Sequence, residues 1–204
     1  MDFAHPVQAV IPGAQGRVLA VLAEVSTDLN LRAIARLSGL SPAHVSRVMH
    51  RLVELGLVER RDVGAAALFR LVADHTAGRV VLALARAREG VVAELSRTAA
   101  EIQPAAAGIV LFGSFVRGEA GLGSDIDVLV VRRAGIDAED EAWVSSLERW
   151  RRHGTRLTGN PVQMIEVGEE EVMTLARSRR SLWQAVRVEE VVIAGRSLVE
   201  MSGA

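Results

Sequence analysis

The stretch Gly108–Val131 constrains this chain more than any other. It reads as a short apolar strand, Gly108–Phe112, then Gly113-Ser114, ten further residues, and Asp125-Ile126-Asp127 opening a second apolar strand, Asp125–Val131. Gly113 allows a sharp turn after a buried strand, so that its amide and that of Ser114 can approach an anion. The Ser114 hydroxyl adds a donor, and Arg117 follows within hydrogen-bonding reach of a bound phosphate. Asp125 and Asp127 are one residue apart on a strand, so both carboxylates leave the same face. Two carboxylates so placed repel unless a cation lies between them. Mg²⁺ is the natural cation, with Mn²⁺ as the substitute, held by carboxylates and substrate phosphates together. A phosphate cradle beside a carboxylate pair is suited to metal-assisted transfer of a nucleotidyl or phosphoryl group.

The run GSFVRGEAGLGSDIDVLVV, residues 113–131, resembles the DNA polymerase beta-like nucleotidyltransferases, and among them the minimal (MNT-type) branch. The resemblance covers about residues 90–200. It implies that Gly113, Ser114, Arg117 and Ser124 bind a nucleoside triphosphate. It also implies that Asp125 and Asp127 are catalytic and hold metal, with pyrophosphate leaving after in-line attack. The implied acceptor is a protein hydroxyl, as in toxin–antitoxin nucleotidyltransferases, an RNA or a small molecule. The family carries a third carboxylate on a later core strand. In the corresponding stretch, Pro161–Val167, the best-placed residue is Gln163, which can be neither an anionic ligand nor a base. Glu166 lies three positions on and leaves the opposite face of an ideal strand. It serves as a metal ligand only where a bulge or strand end turns it inward.

The remainder of this half alternates helix and strand. Helices are expected at Asp137–Arg152 and Glu169–Arg187, with strands at Pro161–Val167 and Val191–Ile193. That is an α/β (α+β) pattern with a short mixed sheet and flanking helices. Trp143, Trp150 and Trp183 read as helix-packing residues.

The front of the chain reads differently. Apolar spacing gives helices at Gly16–Val25 and Leu31–Leu37, the second stopped by Gly39. Ser41-Pro42 starts a third, Pro42–Leu55, since Ser caps well and Pro suits the first helical position. Strands at Leu57–Arg61 and Ala67–Leu71 enclose a turn at Asp62–Ala66. This order is that of a winged helix-turn-helix and resembles the MarR and ArsR regulators. The resemblance implies that Ser46, Arg47, His50 and Arg51 enter the major groove of double-stranded DNA, while Arg60, Arg61 and Arg70 meet phosphates. Residues 31–61 hold six Arg against two Glu, whereas residues 105–204 hold twelve Arg against fifteen acids. Two modules with different partners follow from that asymmetry.

The expected organisation is a winged helix at 1–75, a linker helix at 76–104 with one break near Gly90, and a nucleotidyltransferase-like domain at 105–204. Dimeric half-site reading makes a homodimer the expected assembly, with the 78–102 helix as its interface. Two functions remain open. One is a regulator that transfers a nucleotidyl group. The other is a regulator whose second domain keeps the fold as a nucleotide-sensing or interaction domain without turnover.

Composition removes several alternatives. The chain lacks Cys, which excludes disulfides and thiolate chemistry, and all 24 basic residues are Arg, which excludes a P-loop lysine and Schiff-base catalysis. The five His show no ligand spacing, so no zinc site is expected. The N-terminus lacks a secretory pattern, and the longest uncharged stretch, Ile102–Val116, is shorter than the roughly 18–20 residues of a membrane helix. A cytoplasmic protein with no membrane partner is expected.

Overall fold

The computed structural model describes residues 1–176, 183, 186 and 189–203. The chain divides into two compact units, His5–Ala87 and Arg88–Ala204, the latter including Met1–Ala4.

The first unit contains α1 (Pro6–Val10), α2 (Gly13–Glu24), β1 (Leu29–Asn30), α3 (Leu31–Ser38), α4 (Pro42–Glu54), β2 (Val58–Val63), β3 (Ala66–Leu71) and α5 (Thr76–Ala85). The Asn30 side chain accepts from Ala33 N–H and caps α3. Gly39, at φ +62°, ends it in the left-handed conformation that a side chain would resist. Ser41 then accepts from His44 N–H, with Pro42 in the first turn of α4. The three helices α2, α3 and α4 bury Val18, Leu19, Ile34, Val45, Met49 and Leu52 around Phe69 and Leu71 of the sheet. That sheet has the antiparallel order β1-β3-β2, so the expected hairpin gains a third, two-residue strand. The hairpin turn is tighter than expected: both strands extend to Val63 and Ala66, leaving Gly64-Ala65 between them.

In the second unit α6 (Ala87–Ala99) precedes β4 (Gly108–Phe112), α7 (Ser114–Arg117), β5 (Ile126–Arg132), α8 (Glu141–Thr158), β6 (Val162–Gly168), α9 (Glu169–Ala176), β7 (Val191–Gly195) and α10 (Leu198–Ser202). The strand order is β6-β5-β4-β7. Strands β5 and β6 run parallel and the other pairs antiparallel, a mixed sheet. One sheet face, with Val110, Phe112, Leu129, Val131 and Val167, packs on Val172, Trp183, Val186 and Leu198. The other meets α8, whose Trp143 Nε1 donates to Glu166, while Trp150 Nε1 ties α8 to α6 by donating to Leu95 O. The architecture is α+β, with a helix-turn-helix in the first unit and a mixed sheet flanked by helices in the second.

Two helical stretches depart from expectation. The break in the helical stretch lies at Arg86, between α5 and α6, while Gly90 sits inside α6. An exposed helical Gly costs about 1 kcal/mol but does not have to end a helix. Helix α8 starts at Glu141, capped by Asp140, and runs on to Thr158 past Arg152. Gly154 lets this extended part pack closely on β6 and α6: a Cβ there would lie 2.9 Å from Val162 and 3.2 Å from Leu95. The expected helix Glu169–Arg187 is described as far as Ala176; most of its remainder lies outside the described residues. Among the described residues no helix is long and apolar enough to cross a membrane.

Candidate functional site

The glycine–serine turn and the aspartate pair come together at one end of the central strands. Phe112 is the register partner of Asp127, which brings the β5 carboxylate beside the turn that ends β4. Gly113 has φ +76° and ψ −156°, a region essentially reserved for glycine. A Cβ on Gly113 would lie 2.5 Å from Asp127 Oδ2. The missing side chain is therefore what admits the carboxylate. Ser114 is half-buried.

Asp127 is half-buried, and Asp125, just before the strand, is exposed. Burial, and then the Asp125 charge, push the Asp127 carboxyl above its usual range, while Arg117 pulls the other way. Two like charges so close disfavour joint ionisation, and burial adds to that cost. Arg117 is held by two other carboxylates, donating to Glu119 (2.8 Å) and Glu189 (2.6 Å). Ser124 accepts from Gly121 N–H at 3.0 Å and so closes the loop leading into Asp125.

The third corner is neutral. Gln163 is the register partner of Asp127 across the parallel β5–β6 pair, so both side chains leave the same sheet face. Glu166 does not join them. It pairs with Val130, lies on the opposite face, accepts from Trp143 Nε1 (3.1 Å) and binds Arg132 (2.9 Å). No bulge interrupts β6 to turn it inward, because its register with β5 is continuous. Among the described residues no group of three or more His, Cys, Asp or Glu is placed to hold a metal. The donor set at this corner is two carboxylates and one amide oxygen. It suits a single hard divalent cation whose other ligands are water and phosphate, and falls short of a three-carboxylate cluster.

One contributor escaped the sequence reading. Asn160, 1% exposed, donates from Nδ2 to Ser124 O at 2.9 Å and so pins the same loop. Its Gly-Asn-Pro context signals only a turn.

In the first unit, Ser46, Arg47, His50 and Arg51 are all exposed on α4, opposite buried Val45, Met49 and Leu52. No acidic group lies within ion-pair distance of Arg47 or Arg51 among the described residues, whereas His50 sits 3.3 Å from Glu54. The wing arginines separate by face. Arg60 joins Ser46 and His50 around a hollow of about 170 Å³ between α4 and the sheet. Arg61 binds Asp28, and Arg70 binds Glu59 (3.0 Å) with Asp28 nearby (3.8 Å). With each arginine side chain more than half exposed, such pairs are worth about 0–1 kcal/mol each, little enough for a phosphate to displace.

Comparison with known proteins agrees with this division. Residues 16–62 match the IclR helix-turn-helix domain, and residues 92–153 match the nucleotidyltransferase domain. The element order had suggested MarR and ArsR; the helix-turn-helix family that matches is IclR. Two solved structures show partial likeness. One is a toxin–antitoxin crystallised with AMP-PNP, at 19% identity and TM-score 0.37 over 56% of this chain and 81% of that one. The other is a mutant of the toxin–antitoxin MntA-HpeT, at 14% identity and TM-score 0.38 over 55% and 80%. No curated protein matches. The chain thus carries an IclR-type helix-turn-helix domain at residues 16–62 and a nucleotidyltransferase domain at residues 92–153.

Proposed function

We propose that this chain is a DNA-binding transcriptional regulator whose nucleotidyltransferase domain, of the minimal branch, binds a divalent cation and a nucleoside triphosphate without turning it over. The observation that carries this reading is Gln163, which stands beside Asp127 where a third carboxylate would be needed. Asp125 and Asp127 would hold Mg²⁺ or Mn²⁺, which when bound neutralises the triphosphate. The Gly113 and Ser114 amides and the Ser114 hydroxyl would orient the phosphates, and Arg117 would leave Glu189 to meet them. The amide at position 163 cannot itself draw a proton from an acceptor hydroxyl. On the DNA side, Arg47 and Arg51 would enter the major groove with Ser46 and His50, and Arg60 would follow the adjoining backbone. A homodimer in the cytoplasm, reading two half-sites, completes this reading.

The test is calorimetry of nucleotide binding, with and without Mg²⁺, on the wild type and on Asp125→Asn/Asp127→Asn. Metal-dependent heat that disappears in the double variant is expected. Heat that survives it would place the site elsewhere. The second reading is nucleotidyl transfer to a protein partner such as a toxin, to RNA or to a small molecule. The retained Asp125–Asp127 pair, seated against Gly113, favours it. Incorporation of label from an α-labelled nucleotide into any acceptor would establish transfer and overturn the silent reading.

A further inference from the structure

We propose that nucleotide occupancy is relayed to the helix-turn-helix unit through α7, because both covalent connections between the units are fastened to α7 or to the loop that follows it. The proposal rests on the nucleotide-binding reading above and specifies how that site would be linked to DNA binding.

The chain passes between the units twice, at residues 4–5 and 87–88. At the first crossing, the Phe3 ring packs edge-on against Phe115, with centroids 4.9 Å apart and planes at 87°. The N–H groups of Phe3 and Ala4 both donate to Ala120 O, at 2.7 and 3.1 Å. Phe3 is 5% exposed and Phe115 fully buried, so this strap is part of the second unit's core. At the second crossing, Arg88 donates from Nη1 to Val116 O. Phe115 and Val116 are the middle residues of a four-residue helix whose ends are Ser114 and Arg117. The residues that would meet phosphate and those that anchor the crossings therefore share one turn of backbone.

Close packing makes this arrangement consequential. If nucleotide binding shifts α7, the fully buried Phe115 contact does not absorb that shift locally. Just beyond the crossings lie α1 and α5, which pack on each other and on α2; α2 in turn packs on α3 and α4. Any nucleotide-dependent preference for one position of α7 would then appear as a coupling free energy with DNA, and by linkage DNA would alter nucleotide affinity by the same factor.

The test follows backbone amide exchange by NMR on the full chain, with Mg²⁺ and whichever of ATP, GTP, CTP and UTP gives the largest calorimetric heat. In the wild type, nucleotide should slow exchange severalfold at Phe3 and Ala4 and at Ala9 and Ile11 of the α1 region, as well as at residues 113–127. Phe3→Leu keeps apolar bulk in the core and leaves Ser114, Asp125 and Asp127 untouched. Combined with Arg88→Gln, it should retain the nucleotide heat and lose the response at Ala9 and Ile11. Slowing confined to 113–127 in the wild type, or an undiminished α1 response in the double variant, would overturn the relay while leaving the nucleotide site standing. Absence of heat with all four triphosphates would overturn the nucleotide reading, and the relay with it.

Discussion

Replacing Asp127 by Asn should stabilise the protein when no divalent cation is present. Asp125 and Asp127 leave one face two residues apart, which places their charges about 6–7 Å from each other. Coulomb repulsion at that distance is about 0.6 kcal/mol in water-like surroundings and about 1.3 kcal/mol at half that dielectric. Burial of Asp127 adds to this cost, while the attraction of Arg117 offsets part of it. A net gain of about 0.5–1 kcal/mol is expected, or about 2–5 °C in the midpoint of thermal unfolding. Intrinsic fluorescence reports this unit selectively, because Trp143, Trp150 and Trp183 all belong to it. The effect should depend on pH with a definite sign. The folded carboxyl is raised above its unfolded value, so the wild type is unpenalised while Asp127 is protonated and loses stability as pH rises through the folded pKa. The advantage of Asp127→Asn should therefore be full at neutral pH and vanish as pH falls into the ordinary carboxylate range. Millimolar Mg²⁺ should raise the wild-type midpoint and leave the variant unchanged. A variant less stable than wild type at neutral pH without Mg²⁺ would refute the reasoning, because it would give Asp127 a structural partner that outweighs the repulsion.

Gly113→Ala should cost about 1–3 kcal/mol, since it forces a side chain into a glycine-only conformation and against Asp127; chemical denaturation measures it, and a neutral result would contradict the tight seating of that carboxylate. Arg47→Ala combined with Arg51→Ala should lower the slope of log affinity for duplex DNA against log salt by about 0.9 for each phosphate no longer neutralised. Arg61→Ala, whose guanidinium is engaged with Asp28, should change that slope less, and the reverse ranking would assign the interface to the wing's other face. Gln163→Asp should strengthen Mg²⁺ binding severalfold by calorimetry, and no change would mean that position 163 does not face the cation.

Strand β4 could be read from the sequence because it is an apolar run bounded by glycine, and α4 because Ser41-Pro42 marks its start. The proximity of Gly113 and Asp127 was foreshadowed by spacing alone, since an antiparallel pair brings the end of one strand to the start of the next. The rest depended on tertiary partners. Strand β1 is two residues long and exists only through β3. The close packing of α8 on β6 and α6 required knowing that Gly154 faces Val162 and Leu95, and the role of Asn160 required the loop it holds. The four positive charges of excess in residues 31–61 were countable, but not their division between faces. Asp28 lies outside that window and engages two of the wing arginines. Strand alternation foretold that Glu166 would miss the site; Trp143 and Arg132, which hold it on the other face, were not foretold.

Position 163 lies exposed on β6, the outermost strand in the sheet's order next to β5. A change there displaces no core atom. The choice between an anionic and a neutral corner is thus separable from the fold. The charge of this corner can therefore change at the rim while the packing around Phe115 and Gly113 stays as it is.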